Sequence, residues 1–345
     1  MTSKRNLVST AAALCGLAAL ATSAQAQSSV TVYGIIGVDV AHASNTGGAK
    51  TVMETSRLNP SRIGFKGSED LGGGLSTVFD LESGISPDQG IGGGPSSPGD
   101  ASPSFWGRGA YVGFKSESLG TLTFGRHWNV NDDNLGNYFI FGGYAVFGLT
   151  GFGFTSDLVN NSAKYVSPTI GGFTGEALVG ASENTNHPKV GELAGAYSAG
   201  PVSVALTYHT AEYPGDLKNK LVSAGASYGT DAWKVRFGYS HANNKIDDYT
   251  LASDVYKAKA YDFGADYTIG ALGFSLDYVA RDVKASPDDS HFIRLLATYS
   301  LSKRTLLNAN LITLKNKAGA MQNFYGISGP GKTQNVVAAG ISHTF

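Results

Sequence analysis

The sequence predicts an all-β fold, a transmembrane antiparallel β-barrel of about 16 strands. Three observations carry this. Apolar residues recur at every second position in segment after segment, the period of a half-buried strand. The segments run to about ten residues or more, enough for a tilted crossing of a bilayer. The connections between them alternate between short and long, as the two rims of an outer-membrane barrel do.

The composition agrees. Of 345 residues 46 are Gly. That is about 13% against a usual share of roughly 7%, with no collagen period, so the excess points to turns and bulges. Tyr and Phe number 17 each against 3 Met and 3 Trp, a balance that favours strands. A mean hydropathy of −0.08 rules out a bundle of membrane helices. The net charge of −1 argues against nucleic acid as the main partner.

In chain order, residues 1–26 read as a secretory signal. Lys4 and Arg5 form its charged start, Thr10 to Ala21 its apolar run, and Ala24-Gln25-Ala26 its cleavage site. About 12 apolar residues are too few to span a bilayer. Cys15, the single cysteine, lies inside this segment, so residues 27–345 offer neither a disulfide nor a thiolate metal site. Those residues read as one barrel domain.

The first alternating segment places Val30, Val32, Gly34, Ile36, Val38 and Val40 on one face. Leu75 to Leu81, Val202 to Tyr208, Trp233 to Tyr239, Tyr261 to Ile269, Phe274 to Tyr278 and Ile293 to Leu301 repeat the pattern. The opposite faces are polar, carrying Asp80, Glu82, Thr207, His209, Lys234, Arg236, Asp262, Asp266 and Asp277. Short turns are expected at 70–74, 199–201, 229–231 and 269–271. Long connections are expected at 42–55, 86–104, 129–160, 244–255 and 316–333. A barrel this wide encloses a water-filled lumen. The last segment puts Val337, Ala339, Ile341, His343 and Phe345 on one face. A terminal Phe closing such a strand resembles the assembly signal of outer-membrane proteins. It implies the barrel-assembly machinery as a partner, and a barrel in that membrane implies outer-membrane lipid and lipopolysaccharide.

Several stretches together carry a family likeness. They are Ser29 to Gly34, SRIGFKGSEDLGGGLSTVFDLESG at 61–84, RGAYVGFKSESLGTLTFGRHW at 108–128, NNSAKYVSP at 160–168 and the ISHTF terminus. The chain resembles a Gram-negative general porin of the β-proteobacterial type over essentially its whole length after residue 26. The resemblance implies a 16-stranded barrel, a homotrimer, and passive diffusion of ions and small hydrophilic solutes. It also implies that the third long loop, here about 129–160, folds into the barrel and narrows the pore opposite wall arginines.

Parity places the wall charges. With Ile63 and Phe65 facing lipid, Arg62 and Lys66 face the lumen. With Tyr111 outward, Arg108 and Ala110 face inward. With Ala163 and Tyr165 outward, Lys164 faces inward. Arg62 and Arg108 also match the family's wall-arginine segments. Their acidic partners are expected from the inserted loop, as Asp132, Asp133 and Asp157, with Asp133 the better match to the family's loop acid. The expected result is a transverse field that orients dipolar solutes and a weak anion preference. Arg126 shares the parity of Leu122 and Phe124 and would face outward, making it a candidate trimer contact.

The chain departs from the family at Ile35, at Asn160 and in the uncharged segment FIFGGYAVFG at 139–148. This keeps a substrate-selective channel, for a sugar or organic acid, as an alternative. Tyr138, Phe139, Phe141, Tyr144 and Phe147 are read as anchors of the loop to the wall, because buried aromatics usually serve packing. A secreted carbohydrate-binding β-domain is a further alternative.

Other motifs are set aside. Gly326 to Thr333 matches a phosphate-binding loop letter for letter, yet residues 334–345 alternate as a strand where that loop needs a helix. The seven His are scattered with no metal spacing. There is no GxSxG elbow, so no enzyme is expected. No metal or cofactor is expected. Asp247-Asp248 and Asp288-Asp289 read as solvated loop acids.

Overall fold

The computed structural model describes residues 28–45, 48–93, 104–139, 158–182, 188–214, 217–244, 256–284, 286–320, 322–324 and 329–345. The expected signal lies outside them. In chain order come β1 (Ser28–Asn45), β2 (Gly48–Thr55), β3 (Arg62–Gly72), β4 (Leu75–Ser86), β5 (Ile91–Gly92), β6 (Gly109–Ser116) and β7 (Gly120–Trp128). A short helix α1 (Val130–Leu135) comes next, then β8 (Leu158–Val166), β9 (Phe173–Gly180), β10 (Lys189–Ala199), β11 (Val202–Tyr213) and β12 (Leu217–Gly229). The chain closes with β13 (Trp233–Asn244), β14 (Tyr256–Ile269), β15 (Leu272–Val283), β16 (Ser290–Ser300), β17 (Thr305–Asn316) and β18 (Thr333–Thr344).

Every pairing is antiparallel, and β1 closes the sheet on β18 from Ile35↔Thr344 to Ser44↔Asn335. The other edge of β1 pairs β3 through its first half and β2 through its second. Segments β2 and β3 are therefore two halves of one barrel strand. The interruption at 56–61 carries Pro60, which cannot donate to a ladder. Ser61 Oγ bonds both the N–H and the carbonyl of Gly37 at 2.9 Å, and Arg57 N–H donates to Asp39 Oδ2 at 2.8 Å. Strand β5 is a two-residue addition to β4. Sixteen barrel strands result among the described residues, as the periodicity predicts.

One expected loop is corrected. Residues 42–55 are mostly strand, because β1 and β2 run on as a hairpin from Val38↔Thr55 to Asn45↔Gly48. The outward side chains there, such as His42 and Thr51, are polar and read as a loop. A strand that rises beyond the lipid has no need of an apolar outer face.

Alternation sorts the two faces. Outward residues stay exposed, as with Val32 (53%), Leu206 (58%), Phe263 (50%), Leu295 (51%) and Val337 (56%). Short turns sit where Gly supplies positive φ, with Gly72, Gly73 and Gly74 at +83°, +63° and +76° between β3 and β4. Inward faces turn apolar where a chain segment covers them. Ala41, Ala43, Phe292, Ile312, Leu314 and Val336 form one such cluster with Phe324. Phe324 reaches it from the 316–333 connection and meets Phe292 edge-on at 5.5 Å.

Candidate pore constriction

The basic wall is built on three adjacent strands. Arg62 opens β3, Glu82 lies on β4, and Arg108 immediately precedes β6. Glu82 is held from both sides, with Arg108 Nε 2.7 Å from Oε1 and Arg62 Nε 3.6 Å from Oε2. The Tyr33 hydroxyl of β1 lies 3.1 Å from both Asp80 Oδ2 and Glu82 Oε2. Two cation–π contacts brace the cluster. Lys66 Nζ lies 4.9 Å above the Tyr33 ring, and the Arg108 guanidinium 4.9 Å above the Trp128 ring. Such contacts fix long side chains at modest cost.

The third long connection enters the barrel from β7. Asn129 caps α1 by accepting from Asp132 N–H at 2.8 Å. The buried Glu192 of β10 accepts from Val130 N–H at 2.6 Å and pairs His209 Nδ1 of β11 at 2.5 Å. Asn134 donates to Glu176 Oε2 at 2.8 Å, and Thr207 donates to Asn131. Leu135, Tyr138 and Phe139 pack with Ala205 on the far wall. A Cβ at Gly238 would meet the Phe139 ring at 2.6 Å, and Gly225 makes the same allowance for Tyr138. Tyr138 and Phe139 therefore anchor the loop to the wall, as the sequence reading expects. Phe141, Tyr144, Phe147 and Asp157 lie outside the described residues.

The strands treat the wall charges differently. Arg62, Lys66 and Lys164 face the lumen as parity predicts. Arg108 does too, although its strand is read the wrong way round. Val112 and Phe114 are the exposed residues of β6, so Ala110 is outward and Tyr111 inward, stacked on His127 at 4.8 Å. Arg108 escapes this parity because it stands before the strand begins.

The two described loop acids, Asp132 and Asp133, do not pair with the arginines. Asp133 instead pairs with Lys164, which also holds Glu176 Oε1 at 2.8 Å and the Trp128 carbonyl at 3.1 Å. Asp132 sits in the first turn of α1, where an acid suits the helix dipole. Among the described residues a different pairing stands where loop acids are expected beside the arginines. A wall acid, Glu82, serves the arginines, and a wall base, Lys164, serves the loop.

Arg126 keeps the outward parity of Leu122 and Phe124, as the register partner of the outward Ala110, but its guanidinium is covered within its own chain. It is 9% exposed, its Nε–H donates to the Gly107 carbonyl at 2.8 Å, and its guanidinium meets Asn160. The register between β7 and β8 shifts between Gly125 and His127. Two positions of β7 span three of β8 there, so the extra residue lies on β8 and the alternation of β7 is unbroken. Phe345 pairs its backbone with Gly34, at 3.0 Å and 3.2 Å, beyond the last register pair of β18.

Sequence reasoning misses three partners. It places Tyr33 on no wall, counts Glu82 as inward without a role, and passes over Trp128. Parity alone is enough to find Tyr33, two positions from Ile35 on the inward face. Farther round the wall, Arg236 spans Asp266 and Asp277 at 2.7 Å each, and Arg294 holds Asp277 at 2.8 Å.

A closed sixteen-stranded barrel with charged inner walls and a connection folded into its lumen defines the class of a membrane channel. Residues 10–319 match the family model for Gram-negative porins. The chain is 32% identical to outer membrane porin protein 32 of Delftia acidovorans over 361 residues, covering 96% of this chain and 99% of that one. It is 30% identical to an outer membrane porin protein of Bordetella pertussis, covering 88% of this chain and 93% of that one. Among solved structures it superposes on an anion-selective porin from Comamonas acidovorans with a TM-score of 0.77 at 27% identity, covering 92% of this chain and 100% of that one. The chain belongs to the Gram-negative porin family, and its place is the outer membrane. Its relatives are channels rather than enzymes.

Proposed function

We propose that the chain forms a water-filled channel for passive diffusion of ions and small hydrophilic solutes, with a weak preference for anions. The observation that carries the preference is the sharing of Glu82 by Arg62 and Arg108. Two guanidiniums stay charged at any accessible pH, and one carboxylate offsets only one of them. Fixed charge at a narrow passage favours the ion of opposite sign. The preference stays weak because Lys164 faces two acids, Asp133 and Glu176. The name of its structural neighbour, an anion-selective porin, supports the same sign. Tyr138 and Phe139 are spent on anchoring, which favours general diffusion over an aromatic path selective for sugars.

The same reading includes a homotrimer and a signal removed after Ala26. It also takes Phe345 as an assembly signal read by the barrel-assembly machinery. Planar-bilayer recording in a KCl gradient tests the function. A reversal potential of anion-selective sign is expected. Cation selectivity, or no conductance from a folded inserted barrel, would overturn it.

A further inference from the structure

We propose that the lumen holds a binding site for zwitterionic solutes of the amino-acid class, in a recess on the short-turn side of Arg62 and Arg108. The proposal rests on the channel reading above and adds a solute class to it.

Register builds the recess. Nearest the short turns, Lys115 of β6, Thr121 of β7, Val166 of β8 and Glu176 of β9 form one inward row. The next row holds Gly113, Thr123 and Lys164. The row beyond it holds Lys66, Asp80 and Tyr111. Gly113 leaves the middle of this wall bare, and a Cβ there would stand 2.1 Å from the Leu122 carbonyl oxygen. Lys66, Lys115, Tyr111, Asp133, Lys164 and Glu176 line the resulting space of about 620 Å³.

Its two ends carry opposite charge. At the end formed by β3 and β6, Lys66 and Lys115 are exposed. Among the described residues neither has a carboxylate within ion-pair distance. Lys66 Nζ rests 4.9 Å above the Tyr33 ring. The acid of this end, Asp80, accepts from the Tyr33 hydroxyl at 3.1 Å and 3.2 Å. Two bases against one acid leave an excess of positive charge. At the end formed by α1, β8 and β9, Lys164 is shared by Asp133 and Glu176, and one base against two acids leaves the opposite excess. The Asp133 side chain is 39% exposed, so its carboxylate is open to the recess.

This arrangement selects a solute by its own charge pair. Lys115 and Glu176 stand three strand spacings apart, about 14 Å between backbones. Their side chains narrow that distance to the span of a small amino acid with an ionic hydrogen bond at each end. Such bonds are about twice as strong as neutral ones, and a field across a cleft orients a dipolar solute. A carboxylate joined to an ammonium satisfies both ends together. A dicarboxylate meets the excess acid, a diamine meets the lysines, and a sugar uses neither. Between the ends, Thr121 and Thr123 offer hydroxyls, and Tyr111, stacked on His127 at 4.8 Å, offers a ring to the solute's side chain.

Flux of radiolabelled L-alanine into liposomes carrying the folded barrel tests this, beside lactamide, an uncharged solute of nearly the same size. Alanine flux should saturate, and lactamide flux should stay proportional to concentration. Lys66→Gln/Lys115→Gln should abolish saturation and lower the alanine-to-lactamide flux ratio at low concentration at least about threefold. Lys66→Arg/Lys115→Arg should behave like wild type. Heat-modifiable migration checks the folding of each variant. Unsaturable alanine flux in the wild type, or an unchanged ratio in the Gln variant, would overturn the proposal. So would competition by propionate or by ethylamine as strong as that by unlabelled alanine, which would assign the recess to simple anions or cations. A wild-type barrel that conducts KCl yet fails these tests refutes the site alone, whereas one that conducts nothing refutes the channel.

Discussion

Replacing Glu82 by Gln tests the constriction most directly. The change removes one negative charge from between Arg62 and Arg108 while keeping the side chain's shape. Tyr33 keeps Asp80 as a partner, at 3.1 Å. An ion passing about 5 Å from the lost charge, in a pore with the dielectric of water, feels a change of about 0.8 kcal/mol. Screening at a Debye length of about 10 Å lowers this to about 0.5 kcal/mol. Each ion's local concentration then changes about two- to fourfold, anions rising and cations falling, since RT is about 0.6 kcal/mol. The anion-over-cation permeability ratio should rise between about fourfold and sixteenfold. The assay is the reversal potential in a tenfold KCl gradient, with heat-modifiable migration as a check on folding. An unchanged reversal potential, or one displaced toward cations, would show that Glu82 does not compensate the arginines that set selectivity.

Three further outcomes are expected from the same geometry. Gly225→Val with Gly238→Val should expel Tyr138 and Phe139, each worth about 1.5–3 kcal/mol of burial. Conductance and protease nicking beyond Gly136 should both rise, and a channel indistinguishable from wild type would mean the loop does not need this seat. Phe324→Ala should cost about 3–5 kcal/mol at its buried position and speed hydrogen exchange at residues 317–320. Unaltered exchange there would deny the contact with Phe292 a structural role. Arg126→Ala removes the donor to the Gly107 carbonyl, at about 1–3 kcal/mol. The barrel should melt earlier with trimer dissociation unchanged, and the reverse pattern would restore an intersubunit role.

Much of the fold is legible because a membrane barrel writes its wall in a two-residue code. Val204, Leu206 and Tyr208 announce lipid, and Thr207 and His209 between them announce the lumen. The code also places Arg62, Lys66 and Lys164 correctly. It fails where strand geometry departs from strict alternation. Arg108 stands before β6 begins, so carrying its inward parity forward inverts Tyr111. It fails again at 42–55, where the strands outrun the membrane and their outer face turns polar. Pairing across strands is beyond it altogether. That Glu82 lies between Arg62 and Arg108 depends on β3, β4 and β6 being neighbours in a particular register, Gly64↔Glu82↔Gly109. Parity carries no register. The expectation of a loop acid beside the arginines comes from family resemblance, and among the described residues Glu82 takes that place.

The inner wall itself shows where water runs. Polar alternation along a strand is meant for a wet lumen, yet several inward faces here are apolar. Those faces coincide with incoming chain. Val159, Leu178 and Val190 receive Val130 of α1, and Ala205 receives Leu135, Tyr138 and Phe139. Phe292, Leu314 and Val336 receive Phe324. An apolar side chain facing open water gains nothing, whereas one under a buried segment gains about 25 cal/mol per Å² covered. Arg62, Lys66, Asp80 and Glu82, by contrast, have no such apolar seat beside them among the described residues. They lie on β3 and β4, whereas the loop is seated on β8 to β13. The strands that seat the inserted loop do so by packing and by buried polar contacts, Lys164 with Asp133 and Glu192 with Val130 N–H among them. Loop anchoring and the charge of the lumen therefore meet at Lys164, which holds Asp133 of the loop and Glu176 of the wall.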